Sequence, residues 1–125
     1  MFTQSGWNLT RIANELRVVT IERCYSPTVA LKFYLRAGSR YDSCYPGLAH
    51  LVEHLVFSGT VEKTRRQLFA LVEHVGGVLS ANTHREYVVF SIIVPWQEWD
   101  QGMAVLADLV CHPALNEKDF KPERR

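Results

Sequence analysis

Three residues within the segment 47–60, His50, Glu53 and His54, stand in an H-x-x-E-H spacing. On an α-helix, residues three and four apart share a face, so both imidazoles point the same way with the Glu53 carboxylate beside them. Two neutral imidazole nitrogens are good ligands for Zn²⁺, and a hydrolytic zinc site adds a third protein ligand and keeps one position open for water. The metal acidifies that water, and a carboxylate next to it takes the proton and later delivers it to the leaving amine. The spacing predicts His50 and His54 as metal ligands and Glu53 as the general base of a hydrolytic reaction. The competing account of the same five residues is a buried amphipathic helix carrying two incidental histidines.

The flanking residues supply what such a helix needs. Pro46-Gly47 is a start signal, Leu48, Leu51, Val52 and Leu55 recur at helical spacing, and Gly59 is expected just past the end. Upstream, residues 16–23 are rich in β-branched side chains, and Val29, Leu31, Phe33 and Leu35 alternate with Lys32, Tyr34 and Arg36. Both stretches read as strands, followed by a loop from Gly38 to Gly47.

Downstream, Thr64 and Gln67 form a capping box that opens a second helix with an apolar face of Leu68, Leu71, Val72 and Val75, stopped at Gly76-Gly77. Strands are expected over 78–82 and 87–94. The second is almost continuously apolar, which predicts a central strand buried on both faces. Trp99, Met103, Leu106 and Val110 repeat at helical spacing and read as the core side of a third helix that ends before Pro113. Asn116 reads as the cap of one more helix, and Arg85 with Glu86 as a solvated pair beside a turn.

Composition bounds the function classes. A chain of 125 residues with 47% hydrophobic and 22% charged content makes one domain with a real core. Its formal charge of +1 gives no reason to invoke nucleic acid or an anionic membrane. Cys24, Cys44 and Cys111 are odd in number, widely spaced and without a C-x-x-C, which fits reduced thiols. Residues 1–9 have neither the basic start nor the apolar core of a secretory signal, and no run is long enough to cross a bilayer. A cytoplasmic location is expected, with the mitochondrial matrix, reached through a removed presequence, as the alternative.

The run Arg-Ala-Gly-Ser-Arg-Tyr at 36–41, the segment 47–60, and Gly-Gly-Val-Leu-Ser-Ala-Asn-Thr-His-Arg-Glu-Tyr at 76–87 together resemble, in order, the pitrilysin or insulinase family (M16) of zinc peptidases. That family includes the mitochondrial processing peptidases. The resemblance spans nearly the whole chain and implies zinc metalloendopeptidase activity on a peptide or unfolded polypeptide, with Zn²⁺ on His50 and His54 and Glu53 as base. It implies an α+β fold, an antiparallel or mixed sheet of about four strands with helices packed on one face, and a single partial peptidase domain over 1–125.

By the same resemblance, the strand near 78–83 is an edge strand that pairs with extended substrate through its backbone, making Ser80, Ala81 and Asn82 substrate-binding candidates. Ser80 stands where family members commonly carry asparagine, and an ordinary strand and turn would account for these residues equally well. The family's third zinc ligand is a glutamate on a later helix, which would fall just past Arg125. Glu123 then matches a carboxylate that orients the metal's ligands. Glu117, His74, His84 and His112 are other residues of ligand type, but none has helical spacing that singles it out. A second, similar domain or subunit is the expected partner. The alternative is a truncated, catalytically inactive homologue acting as a binding or structural subunit, or a non-functional fragment.

Overall fold

The computed structural model describes residues 6–119. Its elements run β1 (Trp7–Arg11), β2 (Arg17–Ile21), β3 (Thr28–Leu35), α1 (Leu48–Val56), α2 (Arg65–His74), β4 (Val78–Thr83), β5 (Val88–Pro95) and α3 (Trp99–Cys111), with short 3-10 turns at Ser39–Tyr41 and Trp96–Glu98. The expected α+β class is what the chain adopts. The main sheet is antiparallel in the order β3-β5-β4, so β5 is central and β4 lies at an edge. No helix among the described residues is long and apolar enough to cross a membrane.

One row of β5, Val88, Phe90, Ile92 and Val94, forms the floor of the core, onto which Val56 of α1, Leu68 and Val72 of α2, and Leu106 and Leu109 of α3 pack. The helices therefore cover one face of the sheet, as expected. Burying each such side chain contributes about 1.5–3 kcal/mol, so this layer dominates the stability of the sheet. On the other face, Val89 is buried among its cross-strand neighbours, yet Ile93, Tyr34 and Val78 are 44%, 58% and 62% exposed. Full burial of β5 on both faces is thus incorrect among the described residues, because no second layer lies over this row.

Two further expectations fail for identifiable reasons. The strand expected at 16–23 does not join the main sheet; β2 pairs with β1, register Trp7↔Ile21 and Leu9↔Val19, as a separate hairpin. The five-residue Trp7–Arg11 strand is too short to announce itself by alternation. In α3, Trp99 and Met103 are 52% and 43% exposed rather than core, and the inward stripe is Gly102, Leu106 and Leu109. Gly102 faces Val94, where an added Cβ would sit 3.0 Å from a valine methyl. Leu106 and Val110 pack on the core as expected, but a glycine on the inward face carries no hydrophobic signal, so the apolar spacing extends to Trp99 and Met103, which lie on the exposed side.

The helix ends follow their local chemistry. Thr64 caps α2, with its hydroxyl accepting from the Gln67 amide and the Gln67 side chain accepting from the Thr64 amide. At the other end Gly76, at φ 74°, lets its amide reach the Glu73 carbonyl while the Gly77 amide reaches that of Val72. This is the paired closure that a left-handed residue permits. Gly59 is not the stop for α1; that helix closes at Phe57, and Gly59 lies in an antiparallel bridge to Thr64.

The start of α1 has no side-chain cap of its own at Gly47. Asp42, 8% exposed, fills that role from the preceding loop: its two carboxylate oxygens accept the amides of Gly47 at 2.8 Å and Ala49 at 2.9 Å. A carboxylate here satisfies orphan donors and complements the positive end of the helix. The loop is itself fixed to the β4–β5 turn. The Ser39 and Arg40 amides donate to the His84 and Arg85 carbonyls, and Gly38 packs so tightly there that a Cβ would lie 2.4 Å from backbone atoms. Glu86 pairs with Arg40, at 2.8 and 3.1 Å, and not with Arg85. That pair is half exposed, so the backbone bonds do more to hold the loop.

A second tie joins the α1–α2 loop to the end of α3. Asp108 accepts from Lys63 Nζ at 3.0 Å and Thr60 Oγ1 at 3.1 Å, and His112 Nδ1 lies 3.4 Å away. Burial pushes the Asp108 carboxyl up, but the hydrogen bonds from Lys63 and Thr60 and the nearby positive charge overcome this and hold it below the usual value. A depressed folded-state pKa contributes stability above the unfolded value, and that contribution is lost as pH falls through the folded one. Asp108→Asn should destabilise the fold at pH 7, and the difference from the parent should shrink as pH falls below about 4 in urea titrations; a difference independent of pH would refute the assignment. Asp42→Ala should lower stability by about 1–3 kcal/mol at unchanged m-value, and an unaltered urea midpoint would show that Asp42 does not cap α1.

Candidate metal centre

His50 and His54 lie one turn apart on α1, and their Nε2 atoms are 3.1 Å from each other. The rings meet edge to face, with centroids 4.5 Å apart and planes at 88°. Zinc binds imidazole nitrogen at about 2.0–2.1 Å, so two nitrogens sharing one tetrahedral ion lie about 3.3–3.4 Å apart. The observed separation fits a shared ion after a small adjustment. In the metal-free chain the same separation is that of a hydrogen bond between the two ring nitrogens, one protonated and the other accepting. His50 is exposed, and His54 and Glu53 are half buried.

Glu53 is held by β4. Its Oε2 accepts a short hydrogen bond from the hydroxyl of Thr83, thirty residues further along the chain. Strand periodicity puts Thr83 there: Leu79, Ala81 and Thr83 form the inward row of β4, and the first two pack on the core. The outward row is Val78, Ser80 and Asn82, with Ser80 Oγ 2.8 Å from Ser91 Oγ of β5. Ser80, Ala81 and Asn82 thus lie on the edge strand beside α1, but their side chains alternate between faces. What they share toward an incoming strand is backbone.

His84 and His112 make their contacts away from the histidine pair. Among the described residues no group of three or more His, Cys, Asp or Glu side chains is placed to hold a metal. His112 lies by Asp108, His84 stacks near Tyr87 with ring centroids 4.6 Å apart, and His74 ends α2. Glu123 lies outside the described residues. Beside α1, on the flank carrying Leu48, Val52 and Glu53, a pocket of about 240 Å³ is lined largely by apolar side chains that include Leu35, Val56 and Phe90. Thr83 and Asp42 were both missed from sequence. Thr83 had a signal, since it continues the inward row two residues beyond Ala81, but its partner lies in another element.

The sequence model of the insulinase family (peptidase family M16) matches residues 17–125. An uncharacterized zinc protease of Rickettsia bellii is 29% identical over 121 residues, covering 96% of this chain and 29% of that protein. The mitochondrial-processing peptidase subunit beta of Caenorhabditis elegans is 34% identical over 117 residues, covering 93% of this chain and 25% of that protein. The chain therefore spans less than a third of the length of these relatives. Among solved structures, a protease from Helicobacter pylori superposes with a TM-score of 0.87 at 25% identity, over 96% of this chain and 29% of that one. A peptidase M16 inactive domain from Pseudomonas fluorescens gives 0.85 at 18% identity, over 94% and 29%, which speaks for the fold alone. With a family match over most of its length and the same fold as a solved protease, the chain belongs to the insulinase family, peptidase family M16.

Proposed function

We propose that this chain is the zinc-binding portion of an M16 metalloendopeptidase, with His50 and His54 as metal ligands and Glu53 as general base. The observation that carries this is the convergence of the two Nε2 atoms at 3.1 Å beside a carboxylate fixed by hydrogen bonding. Bound zinc would supply a Lewis acid that acidifies water and polarises a peptide carbonyl. The protein's own part is to hold both imidazoles on one helix face, keep the carboxylate within reach of that water, and present the peptide. With Oε2 engaged by Thr83, Oε1 of Glu53 is the oxygen left to take the proton and return it to the leaving amine.

β4 is the natural place for the peptide, because an edge strand offers backbone donors and acceptors to an extended chain. Ser80, Ala81 and Asn82 would bind through main-chain groups, and sequence preference would arise elsewhere. The third protein ligand would come from outside residues 6–119, with Glu123 as a carboxylate that orients the ligand set. The names of the relatives support zinc and a paired arrangement, in which a second peptidase-like domain or subunit helps enclose the substrate. All three cysteines are unpaired and exposed, in keeping with a cytoplasmic or mitochondrial matrix setting.

His50→Ala should abolish stoichiometric zinc binding measured by chelator competition, and undiminished binding would rule out this site. A chain carried past residue 125 through the third-ligand helix should cleave unfolded peptides. In it, Glu53→Gln should cut turnover about 10²–10⁴-fold; an extended protein that binds zinc but never cleaves would favour a binding subunit instead.

A further inference from the structure

We propose that Thr83 is a positioning residue for Glu53, fixing which carboxylate oxygen faces the metal side; this rests on the assignment of Glu53 as base. A glutamate side chain has three rotatable bonds, and holding it in one arrangement costs rotamer entropy that a partner must offset. Among the described residues, the side-chain hydrogen bond to Glu53 comes from Thr83 of β4 and not from α1. The donor is rigid in its turn. Thr83 is β-branched, which restricts χ1, and it sits on the half-buried inward row of β4 with its backbone in register opposite Val88.

A register slip of one residue would turn Asn82 or His84 inward, replacing the short hydroxyl with a longer side chain. That register is enforced from both ends. Ala81 and Leu79 are packed on the core, and the turn beyond Thr83 is tied to the loop at residues 38–40. The Thr83 hydroxyl is thereby placed where it donates to Oε2, leaving Oε1 for chemistry. Because Thr83 ends the edge strand, the group that orients the base belongs to the same element that would receive the peptide.

Two variants of the 125-residue chain test this, Thr83→Val, which keeps the shape and removes the donor, and Thr83→Ser, which keeps the donor. In the zinc-free chain, the Glu53 carboxyl carbon resonance should move in Thr83→Val and stay near the parent position in Thr83→Ser, with the amide spectrum of α1 otherwise retained. Zinc affinity should stay within about threefold of the parent in both. In the zinc-loaded extended protein, Thr83→Val should lower kcat about 10- to 100-fold with KM within about twofold, and Thr83→Ser should restore most of it. An unmoved Glu53 resonance in a folded Thr83→Val, or equal loss of kcat in both variants, would overturn the proposal. Absence of zinc binding in the extended protein would instead defeat the metal assignment and leave the Thr83–Glu53 contact to be judged by the resonance alone.

Discussion

The position of the histidine helix depends on one buried carboxylate. Asp42 binds the amides of Gly47 and Ala49, so the first turn of α1 is fastened to a loop rather than ended by its own cap. The loop is fastened to the β4–β5 turn through Ser39, Arg40 and the close approach of Gly38. A nine-residue helix is too short to be stable by propensity alone. Its direction, and hence the place where two imidazoles meet, is set by these contacts together with Leu55 and Val56, which are buried at its far end.

From this arrangement the chemistry follows by geometry. The inner side of α1 meets the core, one flank places Glu53 against Thr83, and His50 and His54 bring their Nε2 atoms together. The edge strand β4 runs past the same helix, so its free main-chain side and the carboxylate are brought close by one packing contact. The site needs α1 to keep its angle to β4, and three separate ties, at Asp42, at Gly38 to Arg40 and at Thr83, hold that angle.

Much of this was legible in the sequence because the controlling signals are local. H-x-x-E-H places three side chains on one face whatever surrounds them, and the Thr64–Gln67 capping box and the glycine pair at 76–77 fix α2 within a residue. The apolar run of β5 gave its central place in the sheet. What escaped depends on contacts distant in sequence. Asp42 caps a helix five residues ahead through a turn of the loop, and Thr83 meets Glu53 across thirty residues. In α3, the inward face includes Gly102, which a hydrophobic pattern cannot register, so the apolar spacing points to Trp99 and Met103, which lie exposed. The β1–β2 hairpin escaped because pairing partners, unlike strand propensity, are not written in either strand by itself.

The account turns on zinc being held by the two imidazoles of α1. X-ray absorption at the zinc edge of the chain loaded with one equivalent of Zn²⁺ tests this most directly, because imidazole gives a distinctive multiple-scattering pattern and sulfur a longer bond. The account predicts a shell of nitrogen and oxygen at about 2.0–2.1 Å with two imidazoles and no sulfur. A shell containing sulfur at about 2.3 Å, drawn from the exposed cysteines Cys24, Cys44 or Cys111, would contradict it.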